Sequence, residues 1–522
     1  CAGCHEPQNT APKSHSTIAF GEEPDEISPW YGPMRGFSYP REVQPVIDRH
    51  CVGCHDGQPS SDGIPDLRGD VKLADWKQVT PGRGGDRGGK FSVGYFELCR
   101  YVRRPGIESD YHMLTPMDYH ADTTQLVQML KKGHHGVELD AEAWDRLVTW
   151  IDLNCPYHGT WGEELANPGV QRERRRELLE KYAGLKDDPE AVPDPPPAVT
   201  PLIPKQVAAP SGIVTAPNWP WQKPEAERRQ LAAGLPTRRT VELGEGVRLE
   251  LARIPAGDFV MGSQCGEADE RPQVRVTIDE PFWIGTCEVT NAQFARFAPK
   301  HDSRVESKNA YQFGIHGYPL NQPEQPVVRV SWNEAVAFCR WLSEKTGHEF
   351  KLPSESQWEF ACRAGTESAM FFGDLDSDFS KFANLADAKL TEFASDPYTV
   401  YKPLKNPPRF DDWIPKETRF NDGSLLTVAP GSYQANSWGL FDMHGNGAEW
   451  TSTEYRLYST STGKQVAAND EIDRKVARGG SWRDRPKRAT SSFRTSYPPF
   501  QRVYNVGFRV ICTIPASTVA SR

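Results

Sequence analysis

The chain has 522 residues, a formal net charge of −9 and a mean hydropathy of −0.63. This length leaves room for two or three domains that each bury a core, and the acidic balance argues against a nucleic-acid partner. No apolar run approaches the roughly 18 residues that a membrane-spanning helix needs, so we expect no membrane-spanning segment.

The first motif is Cys-Ala-Gly-Cys-His at residues 1–5, and Cys-Val-Gly-Cys-His repeats it at residues 51–55. C-x-x-C-H is typical of c-type haem attachment, in which both thiols bond to the vinyl groups and the histidine binds the iron. We therefore expect two covalent haems. The attachment and iron-binding residues are Cys1, Cys4, His5, Cys51, Cys54 and His55. A zinc site or a pair of disulfides is the alternative, but the spacing of zinc modules is not present.

Covalent haem attachment takes place outside the cytoplasm, which predicts a periplasmic or extracellular protein. The chain begins with Cys and not Met. We therefore expect that a leader or an upstream region precedes this sequence.

A short helix is predicted to lead into the second motif, because Pro40 suits a first helical turn and Val43, Val46 and Ile47 recur at helical spacing. Loop-like sequence follows. Its glycine-rich residues 84–90 lack the Ser or Thr of a phosphate-binding loop and are interpreted as surface.

Two helices come next, the first predicted to run from an Asp122 N-cap to Gly133. His134 and His135 lie between them. A low-spin electron-transfer haem needs a second axial ligand, so we expect one of these histidines, with His134 preferred, to bind the iron held by His55.

Met113 and Met117 are alternative ligands to that iron, and a methionine would raise its reduction potential. The second ligand of the haem at His5 stays open among several histidines, and an open coordination position is equally compatible with the sequence. These histidines are His15, His50, His112 and His120.

Several stretches of the first 160 residues resemble the dihaem region of the hydrazine synthase alpha subunit and its relatives. They are residues 36–46, 49–51, 133–136 and 150–154. In hydrazine synthase a Tyr shortly after the first C-x-x-C-H binds the catalytic iron, whereas Glu6-Pro7-Gln8-Asn9 follows here. The resemblance therefore implies a dihaem scaffold but no hydrazine chemistry.

A change of composition marks residues 165–238, where a charged helix-like run precedes a Pro/Ala-rich segment. Such a segment buries too little apolar surface to fold alone and is predicted to be a semi-extended linker. The expected organisation is a mainly α c-type cytochrome module at 1–164, the linker at 165–238 and an α+β domain at 239–522.

Blocks of sequence in this last domain resemble the formylglycine-generating enzyme, or sulfatase-modifying factor, family. They are residues 254–262, 288–294, 352–360, 439–450, 478–482 and 507–509. The resemblance implies a fold related to C-type lectins. From the residues alone, Ser331 and Glu334 predict a capping box that opens an amphipathic helix, and a second helix is predicted to carry Trp358.

The resemblance also implies calcium, which prefers carboxylate and carbonyl oxygens. One site would use Asn384 and Asp422 side chains with Leu385 and Ser424 carbonyls. The other would use Glu449 with the backbone around Asn446 and Gly447. A disulfide between Cys339 and Cys512 is implied in the same way.

Active aerobic members of the family bind copper through two cysteines in Gly-Gly-Ser-Tyr-x-Cys-x-x-x-x-Cys. In this chain Asp484 and Ala489 stand at the cysteine positions. A carboxylate and a methyl group cannot replace two thiolates as Cu(I) ligands, so we expect neither copper nor formylglycine generation. The histidine iron site of the ergothioneine-pathway relatives has no matching histidines just upstream of residue 239. Arg483, Arg485, Lys487 and Arg488 could form a basic rim for an anion or a solvated surface.

The leading hypothesis is an extracytoplasmic dihaem electron-transfer protein fused to a sulfatase-modifying-factor-like domain that acts in binding. A redox partner protein is expected for the haems, and a protein, glycan or small-molecule ligand for the last domain. The alternatives are a haem oxidoreductase with an open iron at His5, an oxidase with an altered active site in the last domain, and a binding protein with vestigial C-x-x-C-H motifs.

Overall fold

A computed structural model of the chain divides into two packed regions. The described residues are 23, 30–32, 35–58, 64–72, 91–105, 115–160, 163, 168–186, 188, 191, 197–204, 212–231, 236–307, 317–394, 414–458 and 473–513. Here the first region means residues 30–160, and the second region means residues 212–513. None of the described helices is both long enough and apolar enough to cross a membrane.

Helices build the first region. They are α1 (Gln44–His50, preceded by a π-helical turn at Tyr39–Val43), α2 (Val93–Cys99), α3 (Gln125–Lys131) and α4 (Ala141–Asp152). Their apolar faces meet around Tyr39 and Trp150, whose rings are fully buried with centroids 5.4 Å apart. The helix predicted to lead into Cys51 is therefore present and forms part of this core.

The start of α3 differs from the prediction. Its N-cap is Thr124, whose hydroxyl accepts a hydrogen bond from Val127 N, while Asp122 lies in a preceding 3₁₀ turn. The helix does end at Gly133, whose φ of +78° is the left-handed conformation that glycine adopts without strain. Asp122 is thus left to interact with other elements.

The predicted linker is partly structured. It contains α5 (Pro168–Ala183) and α6 (Lys223–Leu231). Leu202 N donates a 2.7 Å hydrogen bond to Arg49 O at the end of α1. Further on, the buried Trp221 packs against Phe360 and Trp438, with centroids 5.9 and 6.0 Å apart. The second region therefore begins well before residue 239, because it recruits an aromatic anchor from the Pro-rich segment.

Strands and short helices build the rest of the second region. The strands are β1 (Arg238–Gly244), β2 (Val247–Ile254), β3 (Gly257–Met261), β4 (Val274–Ile278), β5 (Phe282–Gly285), β6 (Val305–Ser307), β7 (Gly317–Pro319), β8 (Glu349–Lys351), β9 (Ala448–Glu454), β10 (Lys475–Arg478), β11 (Arg494–Tyr497), β12 (Val506–Gly507) and β13 (Ile511–Thr513). The helices are α7 (Asn291–Ala295), α8 (Trp332–Thr346), α9 (Glu355–Arg363) and α10 (Thr391–Ala394).

Two sheets organise these strands. The five-stranded sheet has the order β1-β2-β5-β13-β8, and the four-stranded sheet has the order β11-β10-β9-β12. In the first sheet every pairing is antiparallel, and in the second only β12 runs parallel to its neighbour. The last strand of the first sheet thus pairs with an early and a middle strand, which closes the domain over its core.

The two predicted helices of this region are present. Ser331 and Glu334 form the expected capping box at the start of α8, and α9 carries Trp358 inward. The implied disulfide is not formed, because Cys339 and Cys512 are separate thiols buried in one apolar cluster.

Replacing Trp221 with Ala tests whether the Pro-rich segment belongs to the second region. The loss of a buried indole is expected to lower the free energy of unfolding by about 3–5 kcal/mol. Chemical denaturation followed by circular dichroism measures this change. Tyr182→Ala on α5 is the control, because Tyr182 is 76% exposed and should change stability by no more than about 0.5 kcal/mol. Equal stability of the two variants would contradict the anchor role.

Candidate functional site

The second C-x-x-C-H motif lies in a turn that follows α1 directly. Cys54 N and His55 N donate hydrogen bonds of 3.0 and 2.9 Å to Cys51 O, which closes the turn. Cys51 is half-buried, Cys54 is exposed, and both are free thiols. Cys54 is therefore open to solvent, whereas Cys51 is partly covered and residues 201–203 lie against Gly53.

The rings of His55 and His134 are neighbours, with centroids 6.1 Å apart and planes inclined by 31°. His55 Nδ1 lies 3.0 Å from Pro65 O, so Nδ1 carries the proton and Nε2 has a free lone pair. His134 Nδ1 is buried without a hydrogen-bond partner among the described residues. A metal held about 2 Å from each of two imidazole nitrogens requires a centroid spacing of about 6 Å. The centroid spacing of His55 and His134 would therefore let the two imidazoles hold one metal ion between them.

Both imidazoles are held in the neutral form that binds metals. Burial lowers the pKa of His134 to about 4, with His135 and His55 adding to the effect, and burial also lowers the pKa of His55. His135 packs its ring edgewise on His134, with centroids 4.5 Å apart. Of the two adjacent histidines, His134 is the one whose ring lies beside His55. Met117, the alternative ligand, is 38% exposed in a turn.

The first C-x-x-C-H motif and some of its candidate ligands lie outside the described residues. These are Cys1, Cys4, His5, His15 and His112. Met113, an alternative ligand to the iron held by His55, and the glycine-rich residues 84–90 also lie outside the described residues. His120 Nδ1 accepts a 3.2 Å hydrogen bond from Asp122 N and so caps a turn. His50 lines a groove of about 420 Å³ together with Arg35 and Arg49. Of these two described histidines, His50 is the one with open space beside it.

The first set of residues implied for calcium comes together in the structure. Asn384 is fully buried; its Nδ2 donates to Leu426 O at 2.8 Å, whereas its Oδ1 has no hydrogen-bond partner among the described residues. Asp422 accepts 2.8 Å hydrogen bonds from the backbone of Leu385 and Ser424. Asn384 Oδ1 is therefore a buried oxygen without a hydrogen-bond partner among the described residues. The next residue in the chain, Leu385, is hydrogen-bonded to the Asp422 carboxylate.

Asp387 adds a second carboxylate that the sequence analysis missed. It accepts a hydrogen bond from Asp422 N. Burial and the charge of Asp387 raise the pKa of Asp422 to about 7. Two carboxylates in one buried site favour a bound proton or cation, and hard oxygen donors of this kind fit calcium. The signal was present in Asn384-Leu385-Ala386-Asp387, where the acid lies three residues after the predicted ligand.

The carboxylate of the second implied calcium site is already paired. Arg509 binds both oxygens of Glu449 at 2.6 Å. The Asn446 side chain and Gly447 N donate to Glu288 at 3.1 and 3.3 Å. Glu449 is thus part of a buried ion pair, and its role as a calcium ligand stays a prediction.

Two other carboxylates near this ion pair were missed. Asp442 Oδ1 and Glu288 Oε2 are buried without hydrogen-bond partners among the described residues. Burial raises the pKa of Asp442 to about 6 and that of Glu288 well above its usual range. Both acids fall inside the family-like blocks, which was the available signal. Within the described ranges, no three His, Cys, Asp or Glu side chains are grouped so that they could hold a metal ion.

The window that corresponds to the catalytic cysteines is closed by its own side chains. Asp484 Oδ2 accepts hydrogen bonds from Ser481 N and Ser481 Oγ at 3.1 and 2.7 Å. Asp484 Oδ1 pairs with Arg488 Nε at 2.9 Å, and Ala489 is fully buried. Asp484 therefore holds the loop together, and this window offers neither thiolate nor free carboxylate to a copper ion.

The predicted basic rim is partly used by contacts within the molecule. Arg483 lies 3.9 Å from the carboxylate of Glu306, and Arg485 lies 5.9 Å from the ring of Tyr101 in the first region. Lys487 is exposed. The rim is therefore partly covered and less available to an external anion.

Buried charges join the two regions beside this window. Arg103 of the first region binds Glu306 at 2.9 Å and lies 3.9 Å from the ring centroid of Tyr504. Asp118 of the first region binds Arg329 Nε at 3.0 Å. These pairs are distant in sequence and have no local pattern, so sequence reasoning had no signal for them.

Comparisons with known proteins concern the second region. A family model described as Sulfatase-modifying factor enzyme 1-like domain matches residues 245–514. The chain is similar to the formylglycine-generating enzyme of Bos taurus, with 25% identity over 50% of this chain and 74% of that protein. It is also similar to the inactive C-alpha-formylglycine-generating enzyme 2 of Bos taurus, with 28% identity over 52% of this chain and 90% of that protein.

Two bacterial proteins are also similar to this chain. The formylglycine-generating enzyme of Streptomyces coelicolor is 27% identical over 58% of this chain and 95% of its own length. The solved structure of PvdO from Pseudomonas aeruginosa is 25% identical over 53% of this chain and 98% of that chain, with a TM-score of 0.39.

The raised pKa of Asp422 predicts how stability depends on pH. Without metal, the native state holds this proton more tightly than the unfolded chain, whose aspartate pKa is about 4, so stability is expected to fall as the pH rises from about 4 to 7. Asp422→Asn should remove this part of the fall. Thermal unfolding in chelator between pH 4 and 8 measures it, with the exposed Asp279→Asn as the matched control.

Calcium provides a second arm of the same experiment. A cation that replaces the proton is expected to raise the unfolding temperature more at pH 8 than at pH 5, and this gain should vanish in Asp422→Asn. A gain that is equal at both pH values, or absent at both, would contradict a calcium site at Asp422.

Proposed function

The chain belongs to the sulfatase-modifying factor family through its second region, and we propose that this family domain no longer generates formylglycine. We propose further that the whole chain is an extracytoplasmic haem protein for electron transfer. The redox function belongs to the first region, and the family domain serves as a binding or supporting module. The 6.1 Å spacing of His55 and His134 is the observation that carries the proposal.

The residues around the second motif support haem attachment in several independent ways. Cys51 and Cys54 are free thiols at one turn, His55 follows them, and its Nδ1 is oriented by Pro65 O. His134 completes the pair of neutral imidazoles. Iron with two histidine ligands has no open position, which favours electron transfer over chemistry on a bound substrate.

A haem at this place would supply one-electron redox chemistry. The chain's own contribution would be covalent attachment through Cys51 and Cys54, ligation by His55 and His134, and a half-buried surrounding. A second haem would attach through Cys1 and Cys4. The haem at Cys51 and Cys54 would exchange electrons with another redox protein, which would approach the exposed side of that motif.

The loss of formylglycine generation is supported by the environment of the former cysteine positions. Asp484 is committed to Ser481 and Arg488, and Ala489 has no metal-binding atom. The chain is also similar to a relative whose name describes it as inactive. Calcium would be held by Asn384, Asp387 and Asp422, where it would stabilise the fold.

Haem content tests the redox proposal directly. The full chain, produced in a host that matures c-type haems, is expected to carry two covalent haems, and Cys51→Ala/Cys54→Ala should carry one. Intact mass and the alkaline pyridine spectrum measure this number. A colourless wild-type protein would overturn the proposal.

The matched histidines test the ligand assignment within the same experiment. His134→Gly is expected to make one ferrous haem reactive towards carbon monoxide, because an axial position opens. His135→Gly, which alters the adjacent residue, should leave the spectrum unchanged. Equal carbon monoxide binding in both variants would contradict His134 as the ligand.

Coexpression with a peptide that carries a sulfatase cysteine motif tests the second part of the proposal. No conversion of that cysteine to the aldehyde is expected, because the two copper-binding thiols are absent. Mass spectrometry of the peptide detects conversion, and the Streptomyces coelicolor enzyme is the positive control. Aldehyde formed by this chain would show that the domain has an altered but active site.

A further inference from the structure

Helix α3, which ends just before His134, is held by the second region. Gln128 lies in the middle of α3, and its Nε2 donates a 3.0 Å hydrogen bond to Ser496 O in β11. The same amide donates to Asp122 O at 2.9 Å. One buried side chain therefore ties the helix both to the preceding 3₁₀ turn and to a strand of the family domain.

Lys132, at the C-terminal cap of α3, makes a second contact with the family domain. Its ammonium group lies 3.4 Å from Asp269 Oδ2 and 3.9 Å from the ring centroid of Phe493. Lys132 is 5% exposed and Asp269 is fully buried. Tyr455 donates a 2.9 Å hydrogen bond to Asp269, so the acid is itself fixed. A buried ion pair of this kind leaves an uncompensated charge if either partner moves away.

The other end of α3 is held by a second charge pair. Asp122 binds Arg474 at 3.0 Å, and Arg474 Nε donates to Ser496 Oγ at 3.1 Å. Asp122, Gln128 and Lys132 thus each contact the second region. They are spaced along α3 and the 3₁₀ turn that precedes it. This helix cannot shift or rotate without breaking at least one of these contacts.

The held helix determines where His134 lies. His134 follows Lys132 by two residues, and Gly133 between them turns the chain away from the helix axis. His55 is placed by α1, which packs in the core of the first region. His55 and His134 are therefore positioned by different parts of the molecule.

We propose that the second region is a clamp that positions His134 opposite His55, with Gln128, Lys132 and Asp269 as positioning residues. This proposal rests on the proposed function, because it assumes a haem at Cys51 and Cys54. The clamp uses Phe493 and Ser496, which follow closely after Ala489.

The test uses the full chain in a Cys1→Ala/Cys4→Ala background, so that the haem at Cys51 and Cys54 is observed alone. Lys132→Met is expected to raise the fraction of ferrous haem that binds carbon monoxide by about tenfold or more, because His134 is no longer held in place. Asp269→Asn should act in the same direction. The ferric spectrum should shift from six-coordinate low-spin towards high-spin in both.

Two controls separate positioning from general damage. Lys223→Met removes an exposed lysine that faces Glu227 on α6, and it should behave like the parent. Lys132→Arg keeps the positive charge beside Asp269 and should bind less carbon monoxide than Lys132→Met. Added imidazole should restore the low-spin spectrum of Lys132→Met, because it replaces a displaced ligand in a folded protein.

The outcomes distinguish this proposal from the one on which it rests. No covalent haem in the parent would remove both. A haem that is six-coordinate through His134 in the parent and equally so in Lys132→Met and Asp269→Asn would overturn the clamp and leave the haem function intact. A Lys132→Met protein whose spectrum imidazole does not restore would also count against it, since loss of fold would then explain the change.

Discussion

Charged side chains buried between the two regions are the constraint on which the rest of the structure depends. Arg103 pairs with Glu306, Asp118 pairs with Arg329, and Lys132 pairs with Asp269. A different packing of the two regions that kept these groups buried would leave the charges unpaired, and an unpaired buried charge is costly. The pairs therefore specify one arrangement of the two regions. A Pro-rich connection of the kind found here would by itself permit many arrangements.

In this arrangement the family domain contacts the first region through buried charges. Its fold is kept by buried pairs such as Arg509 with Glu449, while the positions that hold thiols in active relatives carry Asp484 and Ala489. Folds commonly outlast their activities because the core and the site draw on different residues. Here the segment beyond the former site offers an aromatic ring and backbone carbonyls, which suit the packing of a helix better than the binding of a metal.

The redox proposal and the docking of the two regions are connected through one helix. Electron transfer by a haem with two axial histidines requires that both imidazoles stay in place when the iron changes its charge. His55 is held by the turn after α1 and by the contact of its Nδ1 with Pro65 O. His134 lies after the end of α3, so its position depends on the contacts that hold α3. The family domain supplies this support through β11 and the 3₁₀ turn at Ala268–Glu270.

Local patterns determined much of this protein. The helix before Cys51, the capping box at Ser331 and the family blocks are set by neighbours in sequence, so the sequence alone predicted them. Tertiary structure alone decided that Trp221 joins the second core, that Glu449 is paired with Arg509, and that Asp387 and Asp422 share a site. It also decided which of two adjacent histidines lies beside His55. The physical reason is that burial and charge pairing depend on residues far apart in the chain, and only the folded arrangement brings them within contact distance.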